Sequence, residues 1–139
     1  MVRSVRALLD TSVLIALLSS REVKPELDGF NELMISSLSF SELHMGVATA
    51  GANSAVRTAR EDRIARVRTA FGAGIPYDDR CALAFGVMSE QVLRSGGSPK
   101  SHVLDKMIAA TAMAHGLVLV TRNAKDLKHL GQLVQVEER

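Results

Sequence analysis

Short apolar runs alternate with longer helical segments along the chain. Residues 5–9 and residues 117–120 are two such runs, and each is followed by short polar side chains of the kind that precede helices. Alternation of strands and helices predicts an α/β fold with a mostly parallel central sheet flanked by helices. Strands in a parallel sheet are covered on both faces, which explains why these runs are apolar throughout.

The same reasoning predicts the remaining elements. Further strands are expected at residues 32–37, 74–77 and 133–136, and the second of these must be brief because Pro76 lacks a ladder donor. Helices are expected at residues 13–18, 39–50, 54–71, 79–94 and 103–115, with a short helix or loop at 22–31 and a short helix after Asn123. With no repeat and no long linker, we expect residues 1–139 to form a single domain.

Composition excludes several classes of protein. Hydrophobic residues make up 47% of the chain and charged residues 23%, which is typical of a folded protein. The longest apolar run, residues 13–18, is too short to cross a bilayer, so we expect no membrane association and a cytoplasmic protein. Cys81 is the only cysteine, which excludes an internal disulfide and a cysteine zinc site. The net charge of +2 fits nucleic-acid binding and an ordinary surface equally well.

Four acidic residues stand at predicted helix starts: Asp10, Glu42, Asp105 and Asp126. Each has a structural interpretation of its own. Asp10 can cap the helix that follows it, and Glu42 can close a capping box with Ser39. Asp105 lies in a first helical turn, where the helix dipole favours an anion. Asp126 follows Asn123 at the capping spacing.

Taken together, the four acids predict a site. Helices in a parallel α/β fold start at the edge where the strands end, so all four carboxylates are drawn to one edge, where open α/β folds bind their ligands. Their repulsion must be relieved by raised pKa values or by a cation, and oxygen ligands favour Mg²⁺. Thr11, Ser12, Thr121 and Asn123 lie at the same strand ends and can orient the carboxylates, although turn formation explains Ser12 at least as well.

Four segments resemble the signatures of PIN domains: LDTSVLI at 9–15, SELHMG at 41–46, DKMIAATA at 105–112 and VTRNAKD at 120–126. Their order and spacing are similar to those of VapC toxins, and the resemblance covers nearly the whole chain. It implies a PIN-like three-layer fold and an Mg²⁺-dependent endoribonuclease in which Mn²⁺ can substitute. It also implies the toxin of a type II toxin–antitoxin pair, a homodimer held silent by a VapB-type antitoxin.

Carried over by motif, the resemblance makes Asp10, Glu42, Asp105 and Asp126 the catalytic acids. Asp10 and Asp105 are the expected direct metal ligands, and Glu42 and Asp126 bind the metal directly or through water. Two features depart from the family pattern. Lys100 and His102 stand where such toxins often carry arginines, and Leu127 replaces a frequent Phe.

Other residues and functions stay open. Five arginines crowd one predicted helix and spread around its polar arc, where they can contact phosphate, solvent or an antitoxin: Arg57, Arg60, Arg63, Arg66 and Arg68. His102 is the histidine best placed to touch substrate. A phosphatase using Asp10 as nucleophile is one alternative function, but Ser12 occupies the position where such sites commonly have a second Asp. An inactive PIN-fold module that binds RNA or protein is the other.

Overall fold

Four strands form one parallel sheet in the computed structural model of the protein, which describes residues 5–139. The strands are β1 (Arg6–Leu9), β2 (Glu32–Ile35), β3 (Val118–Thr121) and β4 (Val136–Glu138). They lie in the order β2-β1-β3-β4, and every neighbouring pair is parallel. Leu8 of β1 stands opposite Met34 of β2 and Leu119 of β3. The predicted parallel α/β sheet is therefore confirmed.

Helices cover both faces of this sheet and complete three layers. They are α1 (Thr11–Leu18), α2 (Ser37–Thr49), α3 (Ser54–Phe71), α4 (Asp79–Arg94) and α5 (Val103–His115), with a 3₁₀ segment at Ala124–Leu130. Gly116 ends α5 in the left-handed conformation, as expected for a C-cap glycine. Within residues 5–139, no helix combines the length and apolarity needed to cross a bilayer.

The sheet separates two apolar cores. Leu8 of β1 packs in the core that also contains Met88 of α4 and Ile108 of α5. Its neighbour Leu9 packs on the opposite face with Leu14 of α1. Successive side chains of a strand point to opposite faces, so both must be apolar when both faces are covered. This burial accounts for the apolar runs that dominate the sequence.

The strand order places a crevice at the carboxyl end of β1. The chain passes from β1 to β2 on one side and then crosses to β3 on the other, so β1 and β3 flank a point where the connections diverge. The backbone N–H of Asp10 donates to the carbonyl of Val120 at 2.9 Å, which joins the two strand ends. Ligands of open α/β folds bind at such a point.

Several element boundaries differ from the predictions, although residues 22–31 form a loop, which is one of the two predicted alternatives. Residues 74–77 make a single bridge, Ser36 with Ile75, and the backbone of Ser37 leaves no room for a Cβ at Gly74. The last strand is Val136–Glu138, not residues 133–136, because a turn closed by the Leu133 N–H on the Leu130 carbonyl delays it.

Candidate metal centre

Asp10 lies at the carboxyl end of β1, immediately before α1, and is 7% exposed. The predicted capping role is wrong, because its side chain makes no capping hydrogen bond to the helix. Its Oδ2 instead accepts from the Thr121 hydroxyl at 2.7 Å and from the Ser12 hydroxyl at 3.2 Å. Two hydroxyl donors on one oxygen fix the carboxylate and leave Oδ1 available to a ligand.

Glu42 lies in the second turn of α2, one turn later than expected. The helix begins at Ser37 and is capped by Ser36, whose hydroxyl accepts from the Leu38 N–H at 3.0 Å. The predicted capping box of Ser39 and Glu42 is therefore wrong. Glu42 Oε1 accepts from the Thr11 hydroxyl at 2.6 Å, and that hydroxyl lies 2.9 Å from Ser39 Oγ.

Asp105 and Asp126 face each other across a histidine. Asp105 is in the first turn of α5, and Asp126 is in the 3₁₀ segment after β3. His102 Nδ1 lies 3.6 Å from Asp105 Oδ2, and His102 Nε2 lies 3.8 Å from Asp126 Oδ1. Each of the three residues offers one possible ligand atom, and these three atoms lie within 4.8 Å of one another. These side chains are 27–47% exposed, unlike Asp10.

The four carboxylates form one electrostatic cluster. Burial raises the pKa of Glu42, and the nearby carboxylates of Asp10 and Asp105 raise it further against the opposing effect of the Thr11 hydrogen bond. Burial also raises the pKa of Asp105, followed by repulsion from Asp10 and Asp126, with His102 acting in the opposite direction. The repulsion expected of converging acids is thus present.

A solvent-filled cavity of about 390 Å³ opens beside the exposed acids. His102, Asp126 and the lysines Lys106, Lys125 and Lys128 line it. Lys125 and Lys128 are exposed and three residues apart in the 3₁₀ segment, a spacing that places both on one side. The two lysines place positive charge on the wall of the cavity that Asp126 also lines.

Lys106 has a different environment from the other two lysines. It is 5% exposed, and its Nζ donates to the carbonyl of Ser98 at 2.6 Å and to that of Ser101. Burial lowers its pKa. Lys106 therefore ties the loop before α5 to the helix, and that loop carries His102.

The predicted supporting residues Thr11, Thr121 and Asn123 differ in whether their side chains contact the acids. Thr11 and Thr121 both donate to acids of the cluster. The side chain of Asn123 is exposed and makes no cap hydrogen bond, and only its backbone N–H reaches the cluster, by donating to Thr121 Oγ1 at 3.1 Å. Sequence reasoning missed the contact of His102 with two acids, although its position three residues before Asp105 was a signal. It also missed Lys106, the lysine that follows Asp105 in α5 and is buried.

Three of the five arginines on α3 are engaged within the chain. Arg57 pairs with Glu61 at 3.1 Å, Arg60 donates to the Gly46 carbonyl at 2.5 Å, and Arg68 lies 3.6 Å above the ring of Phe40. Arg63 lines a small cavity that also borders Glu42. Arg60 lines the same cavity.

The donor set suits a hard divalent cation. Four carboxylates supply oxygen ligands, which Mg²⁺ and Mn²⁺ accept, and cysteine contributes nothing because Cys81 is buried in α4. Burial is the largest cause of the raised pKa of Glu42 and Asp105, and a divalent ion would offset the repulsion between carboxylates that adds to it. The residues present therefore fit a metal-dependent reaction on a phosphate ester.

Comparison with known proteins agrees with this architecture. The sequence matches the PIN domain family over residues 7–133. The fold is similar to a chain of VapBC-5 from Mycobacterium tuberculosis, a member of the VapBC family of toxin–antitoxin systems, with 26% identity, a TM-score of 0.73 and 96% of both chains covered. It is similar to a chain of DNA-bound VapBC from Salmonella typhimurium, with 25% identity, a TM-score of 0.72 and coverage of 96% of this chain and 98% of that one.

A third structure, VapBC2 from Rickettsia felis bound to a promoter DNA fragment, shares the fold at 19% identity, with a TM-score of 0.76 and coverage of 96% of this chain and 98% of that one. A comparison with curated proteins finds no match. The resemblance to VapC-type PIN-domain toxins that the four sequence segments predicted is confirmed, and so is the three-layer fold. The chain belongs to the PIN-domain family.

Proposed function

We propose that the protein is an Mg²⁺-dependent endoribonuclease, with Mn²⁺ as a substitute, and the toxin of a type II toxin–antitoxin pair. The observation that carries the proposal is the convergence of the carboxylates of Asp10, Glu42, Asp105 and Asp126 at the crevice between β1 and β3. Mutual repulsion within this cluster calls for a cation. PIN domains are generally nucleases, which supports the same reaction class.

Asp10 and Asp105 are the proposed metal ligands. Hydrogen bonds from Thr121 and Ser12 hold Oδ2 of Asp10, so the Oδ1 atom is the one that can bind the ion. Asp105 projects from the first turn of α5, on a helix whose alanines Ala109 and Ala112 are fully buried against the sheet. This packing holds the backbone of Asp105 in place, while its carboxylate, which faces partly to solvent, can turn toward the ion.

Glu42 is the proposed general base. The bound Mg²⁺ would neutralise charge that develops on the phosphodiester and lower the pKa of a water molecule. Glu42 accepts from Thr11 through Oε1, which leaves Oε2 to take the proton from the water that attacks phosphorus. Burial is the largest cause of the raised pKa of Glu42 and would persist with a metal bound, and it favours this role because a base accepts a proton better as its pKa approaches the operating pH.

The cavity lined by Lys125 and Lys128 is the proposed path of the RNA backbone. The two exposed ammonium groups can bind phosphates that flank the one held at the acids. Phosphate contacts position a strand without reading its sequence, so this surface supports RNA binding of low sequence selectivity.

We further propose that residues 1–139 form a single PIN domain that acts in the cytoplasm as a homodimer and is silenced by a VapB-type antitoxin. The similar structures from Mycobacterium tuberculosis and Salmonella typhimurium are of VapBC proteins, and the first is described as a toxin–antitoxin system, which supports the antitoxin. Sedimentation of the purified protein tests the dimer. Co-purification with the product of an adjacent small reading frame tests the antitoxin.

Cleavage of synthetic RNA by the purified chain tests the enzyme. We expect cleavage with Mg²⁺ or Mn²⁺ and none with EDTA, and we expect Glu42→Gln and Asp10→Asn to lose most of the cleavage activity. Undiminished cleavage by a metal-stripped preparation would exclude the mechanism. RNA binding without cleavage at any divalent metal would indicate a binding module, and a covalent phosphate on Asp10 would indicate a phosphatase.

A further inference from the structure

The contacts of His102 with Asp105 and Asp126 are too long to be hydrogen bonds. Nδ1 and Nε2 lie 3.6 and 3.8 Å from the respective carboxylate oxygens, whereas N–H···O bonds are about 2.7–3.2 Å long. The imidazole is also 47% exposed, and an ion pair in such a position contributes little to stability. Stability alone therefore does not account for a histidine placed between two acids.

The same separations suit two ligands of one metal ion. Ligands about 2.1 Å from a metal lie about 3.0 Å apart at a right angle and about 3.4 Å apart at a tetrahedral angle, so a small rotation of the exposed ring brings one nitrogen into range. One atom each from His102, Asp105 and Asp126 already lies within 4.8 Å of the other two.

The backbone holds His102 at this position. It precedes α5 with φ 51°, and it is the one non-glycine residue with positive φ among residues 5–139. Lys106 fastens the preceding loop through the carbonyls of Ser98 and Ser101. The ring is thus part of the wall of the lysine-lined cavity, which opens to solvent.

We propose that His102 is a nitrogen ligand which, with Asp105 and Asp126, binds a first-row transition-metal ion such as Mn²⁺ at the acidic cluster. An imidazole ligand favours Mn²⁺ and the later metals over Mg²⁺, which prefers oxygen ligands alone. The proposal rests on the function proposed above and deepens it, because it adds His102 and Asp126 to the proposed ligands of that site and makes Mn²⁺ its preferred ion in place of Mg²⁺. It does not require that RNA be the substrate.

Pulsed electron paramagnetic resonance of Mn²⁺ bound to the full chain tests this directly. Echo-envelope modulation should contain a ¹⁴N coupling from directly bound imidazole in the wild type, and His102→Gln should abolish it. His102→Gln should also weaken Mn²⁺ binding at least about tenfold while changing Mg²⁺ binding less. His44→Gln, which replaces an exposed histidine of α2 outside the cluster, should leave the coupling intact.

Each outcome decides between the two proposals. Mn²⁺ binding without a ¹⁴N coupling in the wild type would overturn the role of His102 and leave the nuclease standing if RNA is still cleaved. A coupling that persists in His102→Gln would also overturn it. A coupling abolished by His102→Gln, in a protein that cleaves no RNA, would support the metal site and reject the nuclease.

Discussion

The acidic cluster has two halves that are built differently. The buried half consists of the buried Asp10 and the half-buried Glu42 with their partners Thr11 and Thr121, and hydroxyl donors at 2.6–2.7 Å fix both carboxylates. The exposed half consists of the half-buried Asp105 and Asp126 with the exposed His102, and their closest charged contacts are 3.6 and 3.8 Å long. Sequence position gives no hint of this contrast, since three of the four acids stand near helix or 3₁₀ starts.

The contrast teaches which side of the cluster can adjust. Oxygens fixed by short hydrogen bonds and packed near the core keep their place whether or not a ligand is bound. Carboxylates that face solvent without a hydrogen-bond donor can move toward an ion or a phosphate. We infer that the buried half sets the position of the reaction and that the exposed half completes binding when metal and RNA arrive.

Removing the charge of Asp10, in the buried half, should have the largest effect on cleavage. Asp10→Asn keeps an oxygen that can accept from Thr121 and Ser12, so the fold should persist, but it removes a charged metal ligand. We expect cleavage to fall at least about 1000-fold, within the range for an essential catalytic group. Cleavage rate and melting temperature measure the two effects. The control is Asp62→Asn, which removes the charge of an exposed acid of α3.

A large loss of melting temperature in Asp10→Asn would show that Asp10 acts mainly in folding. Residual cleavage near the wild-type rate, with the fold intact, would show that the buried half does not position the reaction.

Glu42→Gln should have the next largest effect. Gln still accepts from the Thr11 hydroxyl but cannot take a proton, so cleavage should fall on the order of 100-fold. Stability should stay within about 1 kcal/mol, because the cap of α2 is Ser36 and remains in place. If Gln supports the wild-type rate, the working acids are the three aspartates.

The third prediction concerns RNA binding beside the exposed half, where Lys125 and Lys128 line the cavity. In an Asp10→Asn background, which binds without cutting, the double change to Glu should weaken RNA binding on the order of tenfold at low salt. The slope of log affinity against log salt should shrink by about 0.7 for each phosphate that the lysines no longer neutralise. The control is Lys24→Glu, which replaces an exposed lysine outside the cavity. If it weakens RNA binding equally, the effect reflects overall charge and not a contact in the cavity.

The sequence predicts the fold well because the signals involved are local. The apolar runs of β1 and β3 and the glycine after α5 each specify their own element, and the parallel order follows from their alternation. The edge strand β4 was misplaced by three residues because its start depends on a turn held by Leu130 and Leu133, a tertiary detail.

The site was predicted less completely, for a physical reason. The convergence of the acids follows from topology, so the sequence could predict it. The hydrogen-bond partner of each acid does not follow from topology, so the sequence could not predict it. Thr11 bonds Glu42 from 31 positions away, and Thr121 bonds Asp10 from 111 positions away. Capping patterns are local and therefore misleading here, because Asp10 bonds Thr121 and Glu42 bonds Thr11, and neither carboxylate accepts from a backbone N–H of the helix that it was expected to cap.

The smallest expected effect is on the stability of the metal-free protein and its dependence on pH. Burial and neighbouring acids raise the pKa of Asp105, so the folded state holds its proton to higher pH than the unfolded state does. Stability from this group is therefore greatest below its ordinary pKa and declines as pH rises through the raised value. Asp105→Asn cannot ionise, so in EDTA its melting temperature relative to the wild type should be higher at pH 7 than at pH 4.

Asp62→Asn should show no such pH-dependent difference. If Asp105→Asn instead lowers the melting temperature more at pH 7 than at pH 4, the charge of Asp105 stabilises the start of α5 through the helix dipole, and repulsion within the exposed half is not what the metal relieves.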